Sequence, residues 1–221
     1  MGFAVETFST ETYETEAASY IAARLPRSGS VVITGGTTAA AVYGPLADAG
    51  GWSDLDVYFS DERCVPPDDK RSNFGMAKRV LLDRVRPRRI ERMMGEEPPE
   101  IAAEAYHQRV ADAMAAGLDL VLLGMGADAH VCALFPSSPA LDVTSSYCAP
   151  VDRPDGLRGL TLTPPALRAA TRVLLIVNGR SKAEAVTRVV KGDERPADCP
   201  ARLLAGLDAT FLLDGEAAAR L

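Results

Sequence analysis

Short β-branched and leucine-rich runs alternate along this chain with alanine-rich stretches of helical length, a pattern that predicts repeated βαβ units and a mainly parallel sheet. The first apolar run, Val31-Val32-Ile33-Thr34, ends in Gly35-Gly36-Thr37-Thr38, and a helix is expected from Ala39 to Ala49. A second strand, Leu55 to Ser60, empties into Asp61-Glu62-Arg63 and a Pro66-Pro67-Asp68-Asp69 loop. Ser72 suits the N-cap of a helix from Asn73 to about Arg84, and Ala102 to Ala116 supplies another helix. Leu120-Val121-Leu122-Leu123 then delivers Gly124-Met125-Gly126-Ala127-Asp128-Ala129-His130 onto a glycine-bearing turn. Further on, Leu160 to Thr163 reads as a strand, Pro164-Pro165 opens a helix, and Arg172 to Asn178 is a buried strand with Lys182 in the helix after it. A strand from Thr210 to Leu213 and a short helix from Gly215 to Leu221 close the pattern.

No repeat, low-complexity tract or Gly/Ser linker divides the chain, so residues 1–221 are expected to form one domain. The Pro- and charge-rich stretch from Glu194 to Pro200 is read as a surface loop, because the roughly 20 residues beyond it cannot build a core of their own. The formal charge of −6 excludes a diffuse basic footprint and argues against nucleic acid or an anionic membrane as main partner, while leaving room for a local cationic pocket. Cys64, Cys132, Cys148 and Cys199 are scattered with no C-x-x-C pair, which fits buried thiols in a reduced compartment. The N-terminus lacks a secretory pattern and every apolar run is far shorter than the roughly 20 residues of a membrane span, so the expected protein is soluble and cytoplasmic.

The chemistry concentrates after the central apolar run. His130 is one of only two histidines and stands two positions after Asp128 at a strand's carboxyl end, where an imidazole can be oriented as a base. Gly35-Gly36-Thr37-Thr38, between a strand and a helix, offers bare N–H groups, two hydroxyls and a helix N-terminus, and reads equally as an anion site or as a tight turn. Gly124 to Ala129 matches the G-x-G-x-x-[GA] dinucleotide fingerprint in form, but it lies in mid-chain and runs into Leu134-Phe135-Pro136 rather than opening a first βαβ unit. His130 and Cys132 form an H-x-C pair without a second pair at metal spacing, so no metal is expected, and a Cys132 nucleophile is set aside because residues two apart rarely face each other. Thr37, Thr38, Asp61, Arg63 and Lys182 all follow strand ends, and such groups can converge on one crevice.

Gly35-Gly36-Thr37-Thr38, Trp52 with Ser60 to Pro66, Ser72-Asn73, Asp119 to Pro136, Leu160 to Thr163 and Gly179-x-x-Lys182-Ala183 together resemble, in order and over nearly the whole chain, the 6-phosphogluconolactonase family. The resemblance implies a three-layer α/β fold with helices on both sheet faces, shared with glucosamine-6-phosphate deaminases, ribose-5-phosphate isomerases and CoA-transferase-like proteins. It implies His130 as general base on water attacking 6-phospho-D-glucono-1,5-lactone, with Asp128 orienting it, and Gly35, Gly36, Thr37, Thr38, Asp61, Arg63, Arg158 and Lys182 around the phosphorylated substrate. No cofactor is implied, and the partner is that small molecule, bound by a monomer or small homo-oligomer. The rival readings are an isomerase or deaminase in which Asp61 moves protons at carbon, and a non-catalytic sugar-phosphate sensor. Three positions depart from the family pattern: Ala129 replaces the glycine of Asp-Gly-His, Val131 and Ala133 replace hydroxyl residues, and Gly159 stands where an arginine is usual, with Arg158 one place early. Ala129 is expected at negative φ, where alanine is unstrained.

Overall fold

The computed structural model describes residues 2–114 and 117–221. Chain order gives β1 (Ala4–Phe8), α1 (Tyr13–Ala22), β2 (Gly29–Ile33), α2 (Thr37–Asp48), β3 (Leu55–Phe59), β4 (Asp61–Arg63) and α3 (Asn73–Ala77). There follow α4 (Asp83–Val85), β5 (Arg89–Glu91), α5 (Pro99–Met114), β6 (Leu120–Leu123), β7 (Cys148–Asp152), β8 (Arg158–Leu162), α6 (Pro164–Arg168), β9 (Val173–Val177), α7 (Ala183–Lys191) and β10 (Ala209–Asp214). Among the described residues no helix is long and apolar enough to cross a membrane.

Seven strands form one parallel sheet in the order β1-β10-β9-β6-β2-β3-β5. Its inner strands are almost wholly buried, as in Val173-Leu174-Leu175-Ile176-Val177, because helices cover both faces. From β2 the chain moves outward through β3 to β5, then returns to the opposite side of β2 with β6 and continues to β9 and β10. The order therefore reverses between β2 and β6, and a crevice opens there beyond the strand ends, where open α/β sheets bind ligands.

Several sequence expectations are corrected. Asp61-Glu62-Arg63, into which the second apolar run empties, is itself a strand: β4 pairs antiparallel with β8, which pairs with β7, making a small second sheet. The helix expected from Asn73 to Arg84 forms under the Ser72 cap, whose Oγ accepts from Gly75 N, but residues 78–82 at its centre are wound as a π-helix. The helix from Ala102 begins earlier, at Pro99, and its expected end at Ala116 lies outside the described residues. No helix forms from Gly215 to Leu221; Asp214 Oδ1 accepts from Ala217 N at 2.7 Å and the chain continues as turns, since seven residues opened by glycine make a poor nucleus. Strands β1, β5 and β7 and helix α1 do not stand out in the apolar pattern.

Two buried tyrosines tie helices to strand ends. Tyr43 of α2 donates its hydroxyl to Thr34 O and accepts from Thr34 N, both at 2.9 Å. Tyr106 of α5 does the same at Phe59, donating to its O at 3.0 Å and accepting from its N at 2.7 Å. Burial pushes both phenols up from their ordinary pKa, so they stay protonated and serve as donor and acceptor at once. The residues so fixed lead directly into Gly35-Gly36 and Ser60-Asp61.

Candidate active site

The crevice is a cleft of about 190 Å³. Its lining combines the turn after β2 (Gly35, Gly36, Thr37, Thr38), Asp61 and Arg63 of β4, Gly126 and His130 after β6, and Asn178 and Lys182 after β9. Thus eight of the residues singled out from sequence converge, with Asp128 directly behind His130.

His130 is placed by its own turn. Gly126 N donates to His130 O at 2.9 Å and Ala129 N to Gly126 O at 3.0 Å, which folds the loop back on itself. His130 Nδ1 then lies 2.6 Å from Asp128 Oδ1, and the imidazole packs against Phe135 with ring centroids 4.6 Å apart. Burial raises the Asp128 pKa, but the hydrogen bond to His130 and its charge overcome that and hold the carboxyl at about 2. An ionised carboxylate only accepts, so in the neutral form of the ring Nδ1 carries the proton and Nε2 the lone pair. Gly126 is required here: a Cβ on it would sit 2.1 Å from His130 Nδ1 and 2.3 Å from Asp128 Oδ1.

The expectation of a relaxed Ala129 is overturned. Its φ is +66°, and Cys132 follows at +54°. The surroundings impose this shape: Ala129 is fully buried, its carbonyl accepts from Ala201 N at 2.9 Å, and Ala133 N donates to Thr161 Oγ1 at 3.0 Å. Cys132 lines the cleft, and burial pushes its thiol up from the ordinary range, which favours the protonated form.

At the other wall, Gly36 caps α2 at φ +99° with no side-chain hydrogen bond at the helix start, leaving its first-turn N–H groups uncapped. Thr38 Oγ1 donates to Asn178 Oδ1 at 2.6 Å, fastening this turn to the end of β9. The Lys182 ammonium faces the same space, one turn after Gly179, whose N donates to Asp214 Oδ1 at 3.0 Å.

Asp61 is buried, with Ser60 Oγ 2.9 Å from its Oδ1 and Asn73 Nδ2 donating to its Oδ2 at 3.0 Å. Gly35 allows this, since a Cβ there would fall 1.9 Å from Asn73 Oδ1. Glu62, inside the Ser60 to Pro66 landmark but not singled out as a site residue, anchors the whole corner: its carboxylate accepts from Arg63 N, Asn73 N, Phe74 N and Ser72 Oγ at 2.7–2.9 Å, capping α3. Burial pushes its pKa up against the pull of those four donors.

Arg158 does not reach the cleft. It is exposed, and its guanidinium pairs with Glu100 at 2.9 Å and Asp152 at 3.0 Å. The side chain that does enter from this hairpin is Arg153, which no strand-end or spacing signal marks. Asn178 is equally silent in the sequence, and Asn73, which belongs to the Ser72-Asn73 landmark, lines the cleft without having been singled out as a site residue. Among the described residues, no group of three His, Cys, Asp or Glu side chains gathers at metal-binding distance.

A family model described as glucosamine-6-phosphate isomerases/6-phosphogluconolactonase matches residues 6–212. The 6-phosphogluconolactonase of Streptomyces coelicolor is 37% identical over 217 residues, covering 88% of this chain and 82% of its own. The crystal structure of 6-phosphogluconolactonase from Thermotoga maritima superposes with a TM-score of 0.84 at 26% identity, covering 96% of this chain and 98% of that one. A monomeric glucosamine-6-phosphate deaminase shares the fold, with a TM-score of 0.87 at 22% identity over 99% of this chain and all of its own. With the matched region running from β1 to β10 and through every element of the cleft, the chain belongs to the glucosamine-6-phosphate isomerase/6-phosphogluconolactonase family.

Proposed function

We propose that this protein hydrolyses 6-phospho-D-glucono-1,5-lactone to 6-phospho-D-gluconate, with residues 1–221 acting as one unit. The observation that carries the reading is the Asp128–His130 pair, 2.6 Å apart, opening into the same cleft as the Gly35–Thr38 turn and Lys182. The phosphate sits on the α2 N-terminus, where bare N–H groups and the helix dipole favour negative charge, with Thr37, Thr38, Arg63 and Lys182 around it. His130 Nε2 takes a proton from water as the water oxygen bonds to C1 of the lactone. As the C1–ring oxygen bond then breaks, the same proton passes to the departing oxygen. Asp128 stabilises the imidazolium between these two transfers. Such a base contributes about 10² to 10⁴ in rate, enough for an ester that already hydrolyses slowly in water.

The test is hydrolysis of the phosphorylated lactone, followed at slightly acidic pH, where the spontaneous reaction is slow. Turnover far above background is expected. Ammonia release from glucosamine 6-phosphate without lactone hydrolysis would instead assign the deaminase reaction and move the proton chemistry to Asp61. Tight binding of 6-phosphogluconate with neither activity would make the protein a sensor.

A further inference from the structure

One cation in the cleft comes from neither the strand-end turns nor the positions expected from sequence. Arg153 stands at the start of the loop joining β7 to β8, where its N donates to Leu157 O at 2.9 Å and its O accepts from Gly156 N at 3.0 Å. Its side chain is only 10% exposed and folds back across β8. Glycine at residue 159 leaves this path uncrowded: a Cβ there would lie 3.0 Å from Arg153 Cδ, 3.4 Å from its Cγ and 3.1 Å from Glu62 O. The arginine stem thus fills the channel that a side chain at position 159 would occupy. At its far end Cζ lies 5.5 Å over the Phe135 ring, the ring that packs against His130.

The guanidinium is half committed. Nε and Nη2 donate to Asp155 at 3.0–3.3 Å, which fixes the plane, while Nη1 is 4.0 Å from Asp61 Oδ2, too far for a hydrogen bond. Arg63 also acts on Asp155 and lines the same cleft, as does Lys182, so three cations face a space whose buried anion is Asp61. The lactone ring is neutral and the only charge on such a substrate is its phosphate. We propose that Arg153 is a specificity-determining residue, its guanidinium binding the substrate phosphate through the channel opened by Gly159. This rests on reading the cleft as a phosphorylated-lactone site. A planar guanidinium matches phosphate oxygens in a way an ammonium does not.

The experiment compares Arg153→Ala with wild type on 6-phospho-D-glucono-1,5-lactone and on unphosphorylated D-glucono-1,5-lactone, with calorimetric binding of 6-phosphogluconate alongside. The expected result is a loss of about tenfold to a hundredfold in kcat/KM on the phosphorylated lactone, carried by KM, a matching rise in the 6-phosphogluconate Kd, and less than about twofold change on the unphosphorylated lactone. The double variant Arg153→Ala/Gly159→Arg, which grows a guanidinium from the vacated channel, recovers most of the loss. Arg153→Lys keeps the stem packed and falls between wild type and Arg153→Ala, which separates recognition from folding. Equal losses on both lactones, or a kcat/KM within about twofold of wild type, overturn the assignment. A double variant no better than Arg153→Ala overturns the role given to Gly159. Because calorimetry needs no turnover, a wild-type chain that binds 6-phosphogluconate without hydrolysing lactone would sink the hydrolase reading, and the Kd of Arg153→Ala would still decide whether Arg153 binds the phosphate.

Discussion

The turns after β2 and β6 leave neighbouring strands and meet in one cleft, but they obtain their shapes by opposite means. After β2, the left-handed position falls on Gly36, and nothing lies within 4 Å of where its Cβ would be. After β6, left-handed backbone falls on Ala129 and Cys132, both buried, clasped by Ala201 N and by the Thr161 hydroxyl under Ala133. A turn that must show bare N–H groups to an anion cannot be moulded by packing, because packing would cover them, so glycine supplies the conformation at no steric cost. A turn that presents one ring in one orientation can be moulded, and it stores strain of about 1–3 kcal/mol per residue that its neighbours impose.

That contrast breaks most visibly at the proposed base. His130→Ala is expected to lower kcat by about 10² to 10⁴ on phosphorylated and unphosphorylated lactones alike, with 6-phosphogluconate binding little changed. An effect confined to the phosphorylated substrate would mean that the two turns do not divide the work. Lys182→Ala should produce the complementary result, a loss of about tenfold to a hundredfold in kcat/KM confined to the phosphorylated lactone; steady-state kinetics on both substrates decide it.

The conformational half of the contrast is read by denaturation. Gly36→Ala should destabilise by about 1–2 kcal/mol, since alanine gains no contact there to offset its left-handed backbone. Ala129→Gly is the smallest effect and has the opposite sign: relief of strain exceeds the lost burial of one methyl and the added unfolded-state entropy, for a gain of up to about 1 kcal/mol. A clear loss of stability on Ala129→Gly would show that packing of the alanine methyl outweighs its strain, and that the β6 turn is not loaded.

The parts of this molecule legible in its sequence are those where local pattern and tertiary role coincide. Strands β2, β3, β6, β9 and β10 are buried on both faces and read as apolar runs, whereas β1 is a half-exposed edge, β5 is three residues long and β7 carries Pro150. His130, Asp128 and the Gly35–Thr38 turn stand out because each directly follows one of those runs. Arg153 does not, because it reaches the cleft through space left by a glycine six positions further on, and only the pairing of β7 with β8 brings the two together. Ala129 misleads for a similar reason: alanine ordinarily marks relaxed backbone, but the partners that hold it at positive φ lie 32 and 72 residues away, at Thr161 and Ala201.

The paired hydrogen bonds of Tyr43 and Tyr106 carry a consequence for motion. The amide protons of Thr34 and Phe59 are bonded to side chains of α2 and α5 rather than to a neighbouring strand. Their exchange with solvent deuterium is therefore gated by undocking of those helices, while amides deeper in β2 and β3 wait for the sheet itself to open. Each strand end thus reports, on its own timescale, how firmly the helix behind it is seated; Thr34 itself lines the cleft, and Phe59 stands two residues before Asp61, which does.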